Sequence, residues 1–113
     1  MSDADLELVR GTLDLILLKT IAWGPIHGLG IARWIEQTTD DQLVVEEGAL
    51  YPALHRLEQK RLLRAEWGLT EQNRRAKYYQ LTERGLAHLA TEVSRWTRYT
   101  AAVGRILAAP GAR

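Results

Sequence analysis

Between Gly48 and Lys77, seven side chains stand out among those that can donate hydrogen bonds or carry positive charge: Tyr51, His55, Arg56, Gln59, Arg74, Arg75 and Lys77. Their common chemistry is recognition of a polyanion. His55 and Gln59 can exchange hydrogen bonds with base edges, Arg56 can reach a base or a phosphate, and Tyr51 can donate to a phosphate. Arg74, Arg75 and Lys77 suit backbone phosphates or a neighbouring minor groove, where contacts add affinity and salt dependence more than sequence choice. A plainer use exists for each. Tyr51 and His55 could cover a hydrophobic core, and the basic residues of a loop could simply face water. For His55 the DNA reading is the stronger; Tyr51 fits both.

Covalent chemistry is poorly served by contrast. His27, His55 and His88 fall on separate elements with no carboxylate at ligand spacing, so no metal site is expected. No nucleophile motif and no phosphate-cradling glycine loop is present, so no enzyme activity and no cofactor are expected. The absence of cysteine excludes disulfides and thiolate metal sites. With 113 residues, 46% hydrophobic and 26% charged, the chain has the means for one modest core.

The formal net charge of +1 hides a segregation. Residues 1–47 hold nine acids against three bases, whereas residues 55–77 hold seven bases against three acids. Such a basic stretch can attract a polyanion locally while the whole stays near neutral. The N-terminus is acidic (Asp3, Asp5, Glu7), unlike a secretory leader. The most apolar run, Leu13 to Trp23, is short and interrupted by Asp14 and Lys19, so no membrane span is expected and the cytoplasm is the expected location.

Four helices and up to three short strands must position these residues. Leu6 to Trp23 reads as a first helix, with Val9, Leu13, Ile16, Leu17 and Ile21 in one stripe. Leu8, Leu15 and Leu18 add apolar surface elsewhere, so this helix should be buried from more than one side. A second helix opens at His27-Gly28 and runs to about Gln37, with Leu29, Ile31, Trp34 and Ile35 as core candidates. Leu43-Val44-Val45 suits a short strand. The third helix, residues 47–61, sets Leu50, Leu54 and Leu57 on one face and Gly48, Pro52, His55, Arg56 and Gln59 opposite, with Tyr51 at the edge. Pro52 belongs near the first turn or at a local distortion.

Leu62 to Trp67 and Ala76 to Leu81 read as paired strands joined by a protruding loop, Gly68 to Arg75. Tyr79 and Leu81 should share one face; Trp67 should pack at a strand end. Thr82 suits an N-cap for a last helix to about Ala108. Its apolar positions Leu86, Leu89, Val93, Trp96, Thr100, Val103 and Leu107 alternate in spacing between three and four, a seam for coiled-coil-like pairing. About 27 residues span roughly 40 Å, more than so small a domain covers, so part of this helix should pack on a second subunit.

The order of these elements predicts a mainly α fold with a small β-hairpin: a winged helix-turn-helix with a long C-terminal dimerisation helix. Residues 1–81 would be the DNA-binding part and 82–113 the dimerisation helix, within one structural domain.

At residue level the chain resembles the PadR family of bacterial transcriptional regulators. The resemblance rests on Leu13 to Leu18, His27-Gly28-Leu29-Gly30-Ile31, the run from Gly48 through Glu58, and Asn73-Arg74-Arg75-Ala76-Lys77-Tyr78-Tyr79-Gln80-Leu81-Thr82. It implies a homodimeric repressor on an inverted repeat, with the C-terminal helix as the main dimer element beside the first helix. It implies DNA contacts from Tyr51, His55, Arg56, Arg74 and Lys77. Family members often carry serine or threonine just before the Gly48 position, whereas this chain has Glu46 and Glu47. Some small members bind flat aromatic compounds between dimer helices through tryptophan; Trp96 occupies such a place, although dimer core is its more ordinary use. A different class also fits the sequence, a winged-helix protein-interaction module without DNA binding, supported by Glu46, Glu47 and the acidic first half.

Overall fold

A computed structural model describes residues 11–112. The first helix, α1, spans Leu13–Ile21. The expected start at Leu6, with Leu8 and Val9, lies outside the described residues. Gly24, in a left-handed conformation (φ +140°), and Pro25 follow α1 closely, so it stops at Ile21 instead of Trp23. Leu17, Leu18, Thr20 and Ile21 are buried while Leu13, Leu15 and Ile16 are partly so, as an all-round apolar helix requires. It packs against every later helix and the central strand.

A two-residue strand, β1 (Ile26–His27), leads into helix α2 (Gly28–Thr38). His27 caps that helix: its Nδ1 accepts the Gly30 N–H at 3.0 Å. Ile31 and Ile35 are buried, but Leu29 is 50% and Trp34 37% exposed. The expected core role of those two is corrected by helix geometry. Each is one residue, about 100°, from the buried stripe Gly28-Ile31-Ile35.

Helix α3 spans Glu47–Gln59 and buries Leu50, Ala53, Leu54 and Leu57. Pro52 sits in its second turn with the helix unbroken, so the carbonyl of exposed Gly48 receives no amide donor from position 52. At the other end Arg61 is left-handed (φ +63°), with Arg61 N–H donating to the Glu58 carbonyl at 2.9 Å and Leu62 N–H to Leu57 at 3.0 Å. This is the two-bond Schellman stop, with arginine where glycine is usual.

Strands β2 (Leu63–Leu69) and β3 (Arg75–Leu81) form the hairpin, and the sheet order is β1-β3-β2, all antiparallel. The third strand is therefore Ile26–His27, paired with Tyr79 and Tyr78, and not Leu43–Val45, which is unpaired although Val45 is buried. Two residues show no alternation that a sequence reading could detect. The strands also run further than expected. Thr70 N–H donates to the Arg74 carbonyl at 2.8 Å and Asn73 N–H to Thr70 at 2.9 Å, leaving a three-residue tip, Glu71–Asn73, with Asn73 left-handed. Tyr79 is buried and Leu81 packs beside the core, on the shared face predicted for them.

The last helix, α4, spans Glu83–Ala108, about 39 Å. Thr82 caps it, accepting the Gly85 N–H at 3.0 Å, and its hydroxyl donates to the Arg61 carbonyl at 2.7 Å. Thr82 N–H donates to the Leu62 carbonyl at 3.1 Å, and a β-carbon on Gly85 would collide with that same oxygen. Gly85 and Leu89 are the buried residues of α4; from Val93 onward every residue of this helix is exposed. The architecture is a winged helix-turn-helix: α2 and α3 make the helix-turn-helix, β2–β3 the wing, and α4 projects beyond the body.

Candidate nucleic-acid interface

The outward face of α3 collects Gly48, Pro52, His55, Arg56 and Gln59, all exposed, opposite the buried leucines. Tyr51 stands at the edge, 46% exposed. Its ring lies over Gly28 at the start of α2, so close that a β-carbon there would sit 2.7 Å from both Cε1 and the hydroxyl oxygen. Tyr51 thus covers the α2–α3 junction and still offers surface, in keeping with both uses open to it. His55 has no such covering duty and is exposed.

Two of the cations on this unit are already engaged within the protein. Arg56 Nη2 donates to Asp14 Oδ1 of α1 at 2.7 Å, and both side chains remain partly exposed. Lys77 Nζ of β3 donates to Glu58 Oε1 of α3 at 3.0 Å, tying the wing to that helix. That carboxylate holds the Lys77 ammonium above the usual lysine range, against the opposing effect of burial. Burial pushes the Tyr79 phenol up, with the Lys77 ammonium pulling the other way. Sequence reasoning missed Asp14 and Glu58. The pairs join residues 42 and 19 positions apart, and no local spacing signals them.

Arg75 and Trp67 share one face of the hairpin, where the guanidinium lies 4.7 Å from the ring centroid. Trp67 is 60% exposed, so the expected packing role is replaced by a platform beneath Arg75. Arg74 follows the tip and is exposed, its backbone N–H held by the Thr70 hydroxyl at 3.1 Å. The wing therefore presents Arg74 and Arg75 outward and keeps Lys77 as a strut. At the start of α3, Glu46 is the cap residue but its carboxylate makes no capping bond; Glu46 and Glu47 are both exposed.

The seam of α4 divides. Leu89 is 8% exposed and belongs to the protomer's own core, which corrects its assignment to an interface with a partner. Leu86, Val93, Trp96, Val103 and Leu107 are 36–80% exposed. Trp96 and Tyr99, ring centroids 6.3 Å apart, flank a crevice that Leu15 and Thr12 close from the start of α1. Among the described residues, no group of three His, Asp or Glu could hold a metal ion, and no helix is long and apolar enough to cross a membrane.

Comparison with known proteins agrees with this geometry. A protein of Lysinibacillus sphaericus known only as an uncharacterized protein is 32% identical over 90 residues, covering 80% of this chain and 83% of that one. The structure of a transcriptional regulator from Clostridium thermocellum superposes with a TM-score of 0.77 at 28% identity, over 85% of this chain and 93% of that one. A PadR family transcriptional regulator from Eggerthella lenta gives 0.72 at 30% identity, over 88% and 84%. The profile of the transcriptional regulator PadR-like family matches residues 17–91, from the core of α1 through α2, α3 and the wing to the first turns of α4. The chain belongs to the PadR-like family of transcriptional regulators.

Proposed function

We propose that this chain is a sequence-specific DNA-binding regulator, acting in the cytoplasm as a homodimeric repressor on an inverted-repeat operator. Helix α3 enters the major groove, and the wing, residues 68–77, lies on the adjoining backbone or minor groove. The observation that carries this reading is the joint presentation of His55, Arg56 and Gln59 on one exposed helix face with Arg74 and Arg75 on a wing strutted to that helix by Glu58–Lys77. His55 and Gln59 read bases, Arg74 and Arg75 grip phosphate, and Tyr51 adds a phosphate contact at the helix edge. Leu86, Val93, Trp96, Val103 and Leu107 supply the dimer surface, and the Trp96 crevice is the place for a small aromatic effector.

The test is selection of bound sequences from random DNA, followed by gel shifts. His55→Ala with Arg56→Ala should abolish preference for the selected site while the dimer persists. Unchanged binding by this double variant would remove α3 from the reading role.

A second reading, a winged-helix interaction module without DNA binding, is favoured by the exposed Glu46 and Glu47 and by the pairing of Arg56 and Lys77 with carboxylates. Retention on heparin and random DNA at low salt separates the two. The regulator is retained and elutes with salt; the module flows through.

A further inference from the structure

Asp14 has no part in the contacts proposed above, yet it holds one of the residues that makes them. Its carboxylate sits in the first turn of α1 and accepts from Arg56 Nη2 at 2.7 Å. A guanidinium so engaged offers its remaining N–H donors to DNA with part of its charge already neutralised. An arginine on a helix face does its best work bidentate, on a guanine edge or a phosphate, and the Asp14 bond occupies one terminal nitrogen of that fork. Both side chains are accessible, 48% for Arg56 and 29% for Asp14, so the pair can open without exposing a buried charge.

We infer that Asp14 is a restraint on the reader helix: Arg56 leaves the Asp14 carboxylate to take a DNA acceptor, and the ion pair competes with DNA for the same guanidinium. The inference rests on the DNA-binding reading and adds to it a residue on α1, an element outside the helix-turn-helix, that sets affinity. The opposite arrangement, in which Asp14 steadies Arg56 for contact, predicts the opposite sign. The competition reading is preferred because the partner is an anion. Bringing phosphates to Arg56 also brings them toward the Asp14 charge, so retaining the pair in the complex costs repulsion.

Exchange of partners has a bounded size. Exposed ion pairs contribute little, so removing the competitor should tighten operator binding by about two- to five-fold. The gain should shrink as salt rises, because screening weakens the internal pair as well.

The experiment is a double-variant cycle on the full chain, by fluorescence anisotropy with a selected operator and with random duplex DNA. Asp14→Asn keeps shape and removes charge. It should bind the operator several-fold tighter than wild type, and the gain should largely vanish when Arg56→Ala is present in both proteins. Circular dichroism melts check that α1 persists, since Asp14 also favours the helix start. Weaker or unchanged binding by Asp14→Asn overturns the inference. So does an equal gain in the Arg56→Ala background, which would mark a general charge effect. Should neither wild type nor Asp14→Asn bind any duplex, the DNA-binding reading itself falls and takes this one with it.

Discussion

Gly28 and Tyr51 show how one side chain can be fixed by the absence of another. The tyrosine ring fills the space above Gly28, so Gly28→Ala must push the ring aside; the ring is partly exposed and can swing outward, so the cost should be about 1 kcal/mol, the low end of overpacking costs. In a Tyr51→Ala background the same change should cost little. Chemical denaturation of the four proteins measures the difference, and equal costs would mean that the ring is not the obstacle. Lys77 and Tyr79 give a second residue-scale expectation. Both pKa values are raised in the folded state, so the stability linked to each is complete below about pH 10 and is lost as pH rises through the folded values. Urea midpoints should be flat approaching pH 10 and fall beyond it, and Glu58→Gln should lessen the fall. The exposure of His55, Arg56 and Gln59 was legible from their places opposite Leu50, Leu54 and Leu57, because helical period alone decides that. Their partners were not. Asp14 and Glu58 come from distant sequence, and Trp67, expected to pack at a strand end, instead has its ring under Arg75.

Elements meet here through their ends. Arg61 ends α3 in a conformation that suits glycine, and Arg61→Gly should stabilise the chain by about 0.5–1 kcal/mol, less whatever unfolded-state freedom the glycine adds. Thermal or urea unfolding reads this directly. A destabilised variant would mean that the arginine side chain holds something its backbone does not reveal. Gly85→Ala should do the reverse, since its β-carbon meets backbone and not a movable side chain; roughly 3 kcal/mol, the upper end of overpacking costs, is expected. Helices α2, α3 and α4 were legible to within a few residues because their caps and periods are written locally: His27-Gly28, the leucine stripe, Thr82. The edge strand β1 was not, since two residues carry no pattern. The Leu43–Val45 stretch misled for a related reason: β-branched residues register burial, as at Val45, whether or not a strand pairs with them.

At the scale of the molecule, the body is compact but the whole is not. Its extents are 62 × 37 × 21 Å, and the radius of gyration is 16.3 Å where about 13 Å is usual for this length. The excess is α4, whose outer half leaves Trp96, Tyr99, Val103, Ile106 and Leu107 exposed, with incomplete cover from the described residues. In the proposed dimer a second copy supplies that cover. Val103→Glu with Leu107→Glu should yield a folded monomer in sedimentation, because neither residue is buried in its own protomer, and operator affinity should drop with the loss of paired half-sites. A dimer that survives both charges would place the contact elsewhere. The seam itself was readable from its three-and-four spacing; that Leu89 turns inward was not, because the spacing is the same for a neighbour within the chain and a neighbour outside it.

The junction at the Leu62 carbonyl bears on operator grammar. With Thr82 N–H bound to that oxygen and bare Gly85 pressed against it, the beginning of α4 is tied directly to the chain that leaves α3. In the proposed dimer, α4 would then act as a ruler fixed to the proposed reading helix. On the proposed inverted repeat, the crossing point of two such rulers would set the gap between half-sites. Sliding one copy by a heptad, about 10 Å, would respace the operator by about three base pairs. A change of preferred spacer would then be expected from substitutions far out on α4, without alteration of any residue that touches a base.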